Sequence, residues 1–154
     1  MVKMISLFWL AGCLLLSQAA EAKQTVTDGD SIVLNGVRIR LLGIDAPEYR
    51  QQCYDAGGKG YDCGLRAKEE LIRLIGRAKV VCDSEQKDIY NRDLSTCYAN
   101  GINLNRRMLE NGWAVAYRTE REDYLAAEQL AKKNKRGIWQ GKFMKPELYR
   151  ILSK

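Results

Sequence analysis

Asp28-Gly29-Asp30-Ser31-Ile32-Val33-Leu34-Asn35-Gly36-Val37-Arg38-Ile39-Arg40-Leu41-Leu42-Gly43-Ile44-Asp45-Ala46-Pro47-Glu48 is the stretch that decides the fold. Two apolar runs rich in β-branched residues flank Asn35-Gly36. An Asn-Gly pair in that setting is the strongest short-range signal for a β-hairpin. A hairpin folds its two ends back beside each other. Asp30, at the start of the first strand, therefore comes close to Asp45, at the end of the second. Two carboxylates meeting at one end of a sheet repel each other unless something cationic sits between them. Oxygen donors in a partly open site suit a hard cation, Ca²⁺ or Mg²⁺. Arg40 alternates with Leu41, so it points to the face opposite the core. Pro47 ends the strand and stiffens the segment that presents Glu48.

Outward from this hairpin, Gln24 to Thr27 reads as a short first strand. Residues 49–62 are polar and Gly-rich and read as a loop. A helix over 65–75 carries Leu65, Leu71, Ile72 and Ile75 as its apolar stripe and stops at Gly76. Residues 78–82 and 94–99 read as the fourth and fifth strands. Asn103 caps a second helix carrying Leu104, Met108 and Leu109, which stops at Gly112. Residues 113–116 are a short extended segment. A third helix spans about 122–134, with Leu125 and Leu130 inward, and Ile138 and Trp139 tuck into the core beyond it. The tail, 142–154, has room for a further short helix. Five short strands with a helix between the third and fourth fit several α+β folds that are mainly β, and the local pattern does not choose among them.

The chain has 154 residues, which after removal of a leader makes a single domain with a real core. Its formal net charge is +6. Lys3 and Glu21 cancel within residues 1–22, so the excess belongs to the rest of the chain. A basic domain favours an anionic partner: nucleic acid, anionic polysaccharide or a membrane surface. There is no histidine. That excludes a histidine general base, a Ser-His-Asp triad and a His-ligated zinc site.

Met1-Val2-Lys3, an uncharged apolar run to Leu16, and the small residues of Ser17-Gln18-Ala19-Ala20-Glu21-Ala22 read as a secretory signal peptide over 1–22, cut after residue 19 or 22. An uncleaved anchor, or a lipoprotein box at Leu10-Ala11-Gly12-Cys13, are the alternatives. Export to the periplasm or the medium follows, with no membrane association after cleavage. Either cut leaves Cys53, Cys63, Cys82 and Cys97. An even count in an exported chain suggests two disulfides, and four cysteines allow three pairings. Cys53–Cys63 would close a local loop, and Cys82–Cys97 would link neighbouring strands; this is the pairing expected. A zinc site is the rival, but no Cys-x-x-Cys spacing is present.

Four pieces together resemble the staphylococcal-nuclease-like (thermonuclease) family. They are Asp28-Gly29-Asp30-Ser31; Arg40-Leu41-Leu42-Gly43-Ile44-Asp45-Ala46-Pro47-Glu48; Asp88-Ile89-Tyr90-Asn91-Arg92, at the place of that family's Asp-x-Tyr-Gly-Arg; and Lys132-Lys133-Asn134-Lys135-Arg136-Gly137-Ile138-Trp139. The resemblance covers residues 25 to 140 or so and implies a five-stranded OB-fold barrel with three α-helices in one domain, 23–141. It implies a Ca²⁺-dependent nuclease acting on single-stranded DNA and RNA with little sequence preference and leaving 3′-phosphate products. A monomer with no stable protein partner goes with that activity.

Carried over by position, the calcium ligands fall on Asp30, Asp45 and the main-chain carbonyl of Ala46, where the family usually has Thr. The catalytic glutamate falls on Glu48 and the two arginines on Arg40 and Arg92. Tyr90 and Tyr117 match tyrosines beside the nucleotide. Asn91 replaces the usual Gly before Arg92, and Asn tolerates left-handed backbone angles. Ile89 stands where a lysine often occurs, which would remove a phosphate contact. Each residue also has a plainer reading: Asp28 and Asp30 as turn residues, Arg40 and Glu48 as surface charges, Arg92 paired with Asp88 or Asp93, Tyr90 as a packing aromatic. A binding module that has lost the reaction, and an envelope protein concerned with an anionic polysaccharide, are the rival functions.

Overall fold

Asn35 and Gly36 both take positive φ, 50° and 86°, a turn whose twist suits the strands on either side. In the computed structural model, which describes residues 23–153, they join β2 (Ser31–Leu34) to β3 (Val37–Leu41) with Ser31 opposite Arg40. The expected leader, 1–22, lies outside the described residues. Before the hairpin comes β1 (Gln24–Asp28). After it come β4 (Ile44–Asp45), β5 (Gln52–Tyr54), β6 (Gly60–Asp62), α1 (Cys63–Ile75), β7 (Val80–Lys87), β8 (Asp93–Ala99), β9 (Ile102–Asn103), α2 (Leu104–Glu110), β10 (Val115–Ala116) and α3 (Glu122–Lys133). A 3₁₀ turn over Gly137–Gln140 and α4 (Pro146–Leu152) complete the chain.

The fold is α+β and mainly β. One sheet runs β1-β2-β3-β8-β7, with β9 added to β8. β3 and β8 are parallel and the other neighbours antiparallel. β4 pairs β10, and β5 pairs β6. A closed five-stranded barrel is not seen: among the described residues no backbone ladder joins β1 to β7, and the tail adds a short fourth α-helix to the three expected. At the open seam a single side chain takes the place of the ladder: the Gln24 amide donates to the Ala78 carbonyl (2.8 Å) and accepts from the Val80 N–H (3.1 Å).

The core lies between the sheet and α1, α2 and α3, with Ile32, Leu41, Ile44, Leu71, Leu104, Met108 and Tyr124 almost wholly buried. Buried Asn105 ties α2 to the sheet: its Nδ2 donates to the Leu42 and Ser95 carbonyls and its Oδ1 accepts from Cys97 N–H. Asn103 caps α2 as expected, accepting from Arg106 N–H. Two helix faces differ from expectation. On α1, Gly64, Ala67, Leu71 and Ile75 are buried, whereas Leu65 and Ile72 are exposed. On α3, Tyr124, Ala127, Glu128 and Ala131 face inward and Leu125 and Leu130 outward. Small residues let these helices approach closely, which a search for large apolar residues overlooks.

Residues 49–62 are also not simply a loop, because β5 and β6 form a hairpin there. The Cys53–Cys63 disulfide pins it to the start of α1, and Cys82–Cys97 joins β7 to β8, both as expected. Ile138 is buried with Cys53, Cys63 and Val115 in a second, smaller apolar cluster. No helix among the described residues is long and apolar enough to cross a membrane.

Candidate active site

The β2–β3 hairpin and the short β4 bring Asp30, Arg40 and Asp45 together. Asp30 and Asp45 are both buried, 3% and 0% exposed. Arg40 is the positive charge between them. Its Nη1 donates to Asp30 Oδ1 at 2.8 Å and its Nη2 to Asp45 Oδ1 at 2.7 Å. Ser31 Oγ also donates to Asp30 Oδ1 (3.0 Å), and Ala46 N–H donates to Asp30 Oδ2 (2.9 Å). Burial pushes the Asp30 carboxyl up to about 7, against the pull of Arg40. Burial also works against the charge on Arg40, but Asp30 and Asp45 outweigh it and hold the guanidinium pKa above its ordinary value. β4 is fixed by β10, with Asp45 opposite Val115.

Glu48 is placed by what surrounds its backbone. Its N–H donates to Gln51 Oε1 (3.1 Å), and its carbonyl accepts from Gln51 N–H (2.7 Å). Gln51 is fully buried, and its Nε2 donates to the Met144 carbonyl at 2.7 Å. The first turn of α1 presses on the Glu48 carbonyl at Gly64, where a Cβ would overlap that oxygen.

The expected tail is in fact part of the site. α4 carries Arg150 to the carboxylates. Arg150 Nη1 donates to Asp45 Oδ1 (2.8 Å) and Glu48 Oε1 (2.7 Å), and Nη2 donates to Asp45 Oδ2 (3.0 Å). Arg150 is thus the link that joins Glu48 to the Asp45–Arg40–Asp30 set. Asp45 and Glu48 raise its pKa despite the burial that opposes it. Sequence reasoning missed this residue and also Gln51, for neither stands in a motif.

Arg92 and Tyr90 form a separate group. Asp88 Oδ1 accepts from the N–H groups of Tyr90 and Arg92, each at 2.9 Å. Asp88 Oδ2 accepts from Arg92 Nε and Nη2, each at 2.7 Å. The Arg92 guanidinium has no other hydrogen-bond or ion-pair partner among the described residues, so the plainer pairing with Asp88 is the one present. Asn91 has φ of 59°, the left-handed angle its position requires. Tyr90 is exposed, and Arg38 Nη2 donates to its carbonyl (2.7 Å). Tyr117 donates from its hydroxyl to Glu147 of α4 at 2.9 Å.

The donor set suits a hard cation by its chemistry. Asp30, Asp45 and Glu48 offer only oxygen, and two guanidiniums already supply positive charge among them. Among the described residues, no three or more acidic, Cys or His side chains are gathered at metal-ligand spacing.

The family model described as staphylococcal nuclease homologue matches residues 38–141. The chain belongs to the staphylococcal nuclease family. It is similar to the succinoglycan biosynthesis protein ExoI of Rhizobium meliloti (strain 1021), with 36% identity over 138 residues, 84% of this chain and 72% of that protein. An uncharacterized endonuclease of Escherichia coli O157:H7 is 33% identical over 121 residues, covering 74% of this chain and 72% of its own length. Endonuclease YhcR of Bacillus subtilis (strain 168) is 32% identical over 131 residues, 74% of this chain but 11% of that much longer protein. The family match ends before α4, the helix that carries Arg150.

Proposed function

We propose that this chain is an exported, Ca²⁺-dependent nuclease that hydrolyses phosphodiester bonds of DNA and RNA with little sequence preference and leaves 3′-phosphate products. The observation that carries the reading is the convergence of Asp30, Arg40, Asp45 and Glu48 in one hydrogen-bonded charge network. Endonuclease-named relatives and the basic charge of +6 support it. The leader reading of residues 1–22 supports export to the periplasm or the medium, as a monomer.

Asp30, Asp45 and the Ala46 carbonyl would hold the cation, which when bound supplies positive charge against the phosphate. The protein's own groups do the rest. Glu48 accepts a proton from a water as that water's oxygen forms its bond to phosphorus. Arg40, whose Nη1 and Nη2 each give one N–H to Asp30 and Asp45, offers its remaining N–H groups to the non-bridging oxygens as their charge grows. The bond from phosphorus to the 5′-oxygen breaks, and that oxygen takes a proton from solvent. Arg92, once turned from Asp88, is a second phosphate clamp. Tyr90 and Tyr117 offer faces on which bases stack.

Digestion of single-stranded DNA by the oxidised protein, with Ca²⁺, with Mg²⁺ and with chelator, tests this. Cleavage should require the cation and fall about 10²- to 10⁴-fold in Glu48→Gln. Cleavage unchanged in that variant would overturn the role of Glu48, and folded protein that binds DNA without cutting it would make this a binding module. The likeness to a succinoglycan biosynthesis protein favours a second reading, an envelope protein whose ligand is an anionic polysaccharide. Competition between such a polysaccharide and DNA for the protein separates the two.

A further inference from the structure

α4 is a helix of seven residues that lies beyond the family-matched region. A helix this short has no stability of its own and must be held by its neighbours. Apolar packing contributes little here: Pro146 is buried, but Leu148, Ile151 and Leu152 are exposed. What holds α4 is polar. Glu147 accepts from Tyr117 and pairs with Arg118 (3.6 Å), Tyr149 donates to the Arg50 carbonyl (3.4 Å), and Arg150 makes three hydrogen bonds to Asp45 and Glu48. The Arg150 contacts are the shortest and best-buried of the charged ones, since Asp45 is fully enclosed. The docking of α4 and the charge balance of the carboxylates are therefore one interaction.

We propose that Arg150 is a built-in counter-cation: it competes with a divalent cation for Asp45 and Glu48, and a cation that displaces it releases α4. This rests on the metal reading given above. A carboxylate oxygen that receives a guanidinium hydrogen bond is not free to coordinate a cation at the same lone pair. Asp45 has both oxygens so engaged, Oδ1 by Arg40 and Arg150 and Oδ2 by Arg150. A divalent ion brings twice the charge of a guanidinium to the same carboxylates, so it can win the exchange at the cost of freeing the helix. The released arginine keeps its planar donors, whose geometry also fits a phosphate. Arg150 thereby sets the apparent affinity of the site for its cation.

Calcium titration calorimetry on the whole protein near neutral pH tests this, comparing wild type with Arg150→Gln, Asp45→Asn and the exposed-surface control Arg73→Gln. Arg150→Gln should bind Ca²⁺ more tightly than wild type, on the order of tenfold for a competent fraction of about one in ten, because apparent affinity scales with that fraction. Arg73→Gln should match wild type. In the wild-type protein, saturating Ca²⁺ should speed hydrogen exchange at the α4 amides. Equal or weaker Ca²⁺ binding in Arg150→Gln, with binding lost in Asp45→Asn, would overturn the competition and leave the metal reading standing. Unchanged α4 exchange in saturated wild type would overturn it in the same way. No Ca²⁺ binding by folded wild type and Arg150→Gln alike would overturn the metal reading and the competition with it.

Discussion

Gln51 and Glu48 hold each other by two hydrogen bonds that run in opposite directions: Glu48 N–H to Gln51 Oε1 at 3.1 Å, and Gln51 N–H to the Glu48 carbonyl at 2.7 Å. The same Gln51 side chain reaches Met144, 93 residues further along the chain. The backbone of the proposed base is thus fixed from inside the protein, while its carboxylate meets the guanidinium of Arg150. Gln51→Ala should cost about 1–3 kcal/mol, the penalty of leaving buried polar partners unmade. It should also lower kcat more than it changes KM, because it misplaces Glu48 without touching a phosphate contact. Urea denaturation and steady-state cleavage of a short oligonucleotide measure the two effects.

Gly64 is required by space rather than by backbone angle. Any Cβ there overlaps the Glu48 carbonyl and crowds Tyr49. The obstructing atoms are backbone, so no side chain can swing aside. Gly64→Ala should therefore destabilise the protein by about 2 kcal/mol or more. Activity should fall beyond what the unfolded fraction explains, and comparison of the melting curve with activity at low temperature separates the two.

The two disulfides should part company in function. They close loops of similar size, with sequence separations of 10 and 15. Loop-closure entropy gives each about 3 kcal/mol. Cys53→Ser with Cys63→Ser loosens the hairpin beside Gln51 and the start of α1, so it should lower both stability and cleavage. Cys82→Ser with Cys97→Ser severs a link between strands that remain paired, so it should lower stability and spare turnover at low temperature. Equal loss of turnover in both would refute a special role for the first.

Asp88 should make the protein acid-sensitive. Burial works to raise its pKa, but the Arg92 and Tyr90 N–H groups and the Arg92 guanidinium outweigh it and hold it below the ordinary 3.8. A carboxyl with a lowered folded pKa contributes stability that is fully present above 3.8 and is lost as pH falls through the folded value. The turn that aims Arg92 should loosen in that range. Asp88→Asn should lower stability near neutral pH and flatten its decline in acid; parallel curves for the two proteins would contradict this.

Much of the site can be read from the sequence, because a hairpin is a local device. Asn35-Gly36 sets the turn, the turn sets Ser31 against Arg40, and Asp30 and Asp45 follow. Asn91 was legible for the same reason: its left-handed angle depends on its neighbours in the chain. Arg150 was not, since it meets Asp45 across 105 residues and stands in a segment with no motif. The inward faces of α1 and α3 were misjudged because Ala67, Ala127 and Ala131 reach the core through close approach rather than bulk. The β5–β6 hairpin hid within polar residues because much of it faces solvent.

The Gln24 amide that bridges Ala78 and Val80 has one further consequence. A sheet fastened at its seam by one side chain can breathe there without breaking a single ladder bond. Gln24 lies at the end of β1 remote from Asp30 and Asp45, because its partner on β2 is Leu34 while Asp28 faces Ser31. At about 3.3 Å per residue Gln24 and the carboxylate end of β1 stand about 13 Å apart along the strand. Opening at the seam thereby starts at the end of β1 away from Asp30, Arg40 and Asp45.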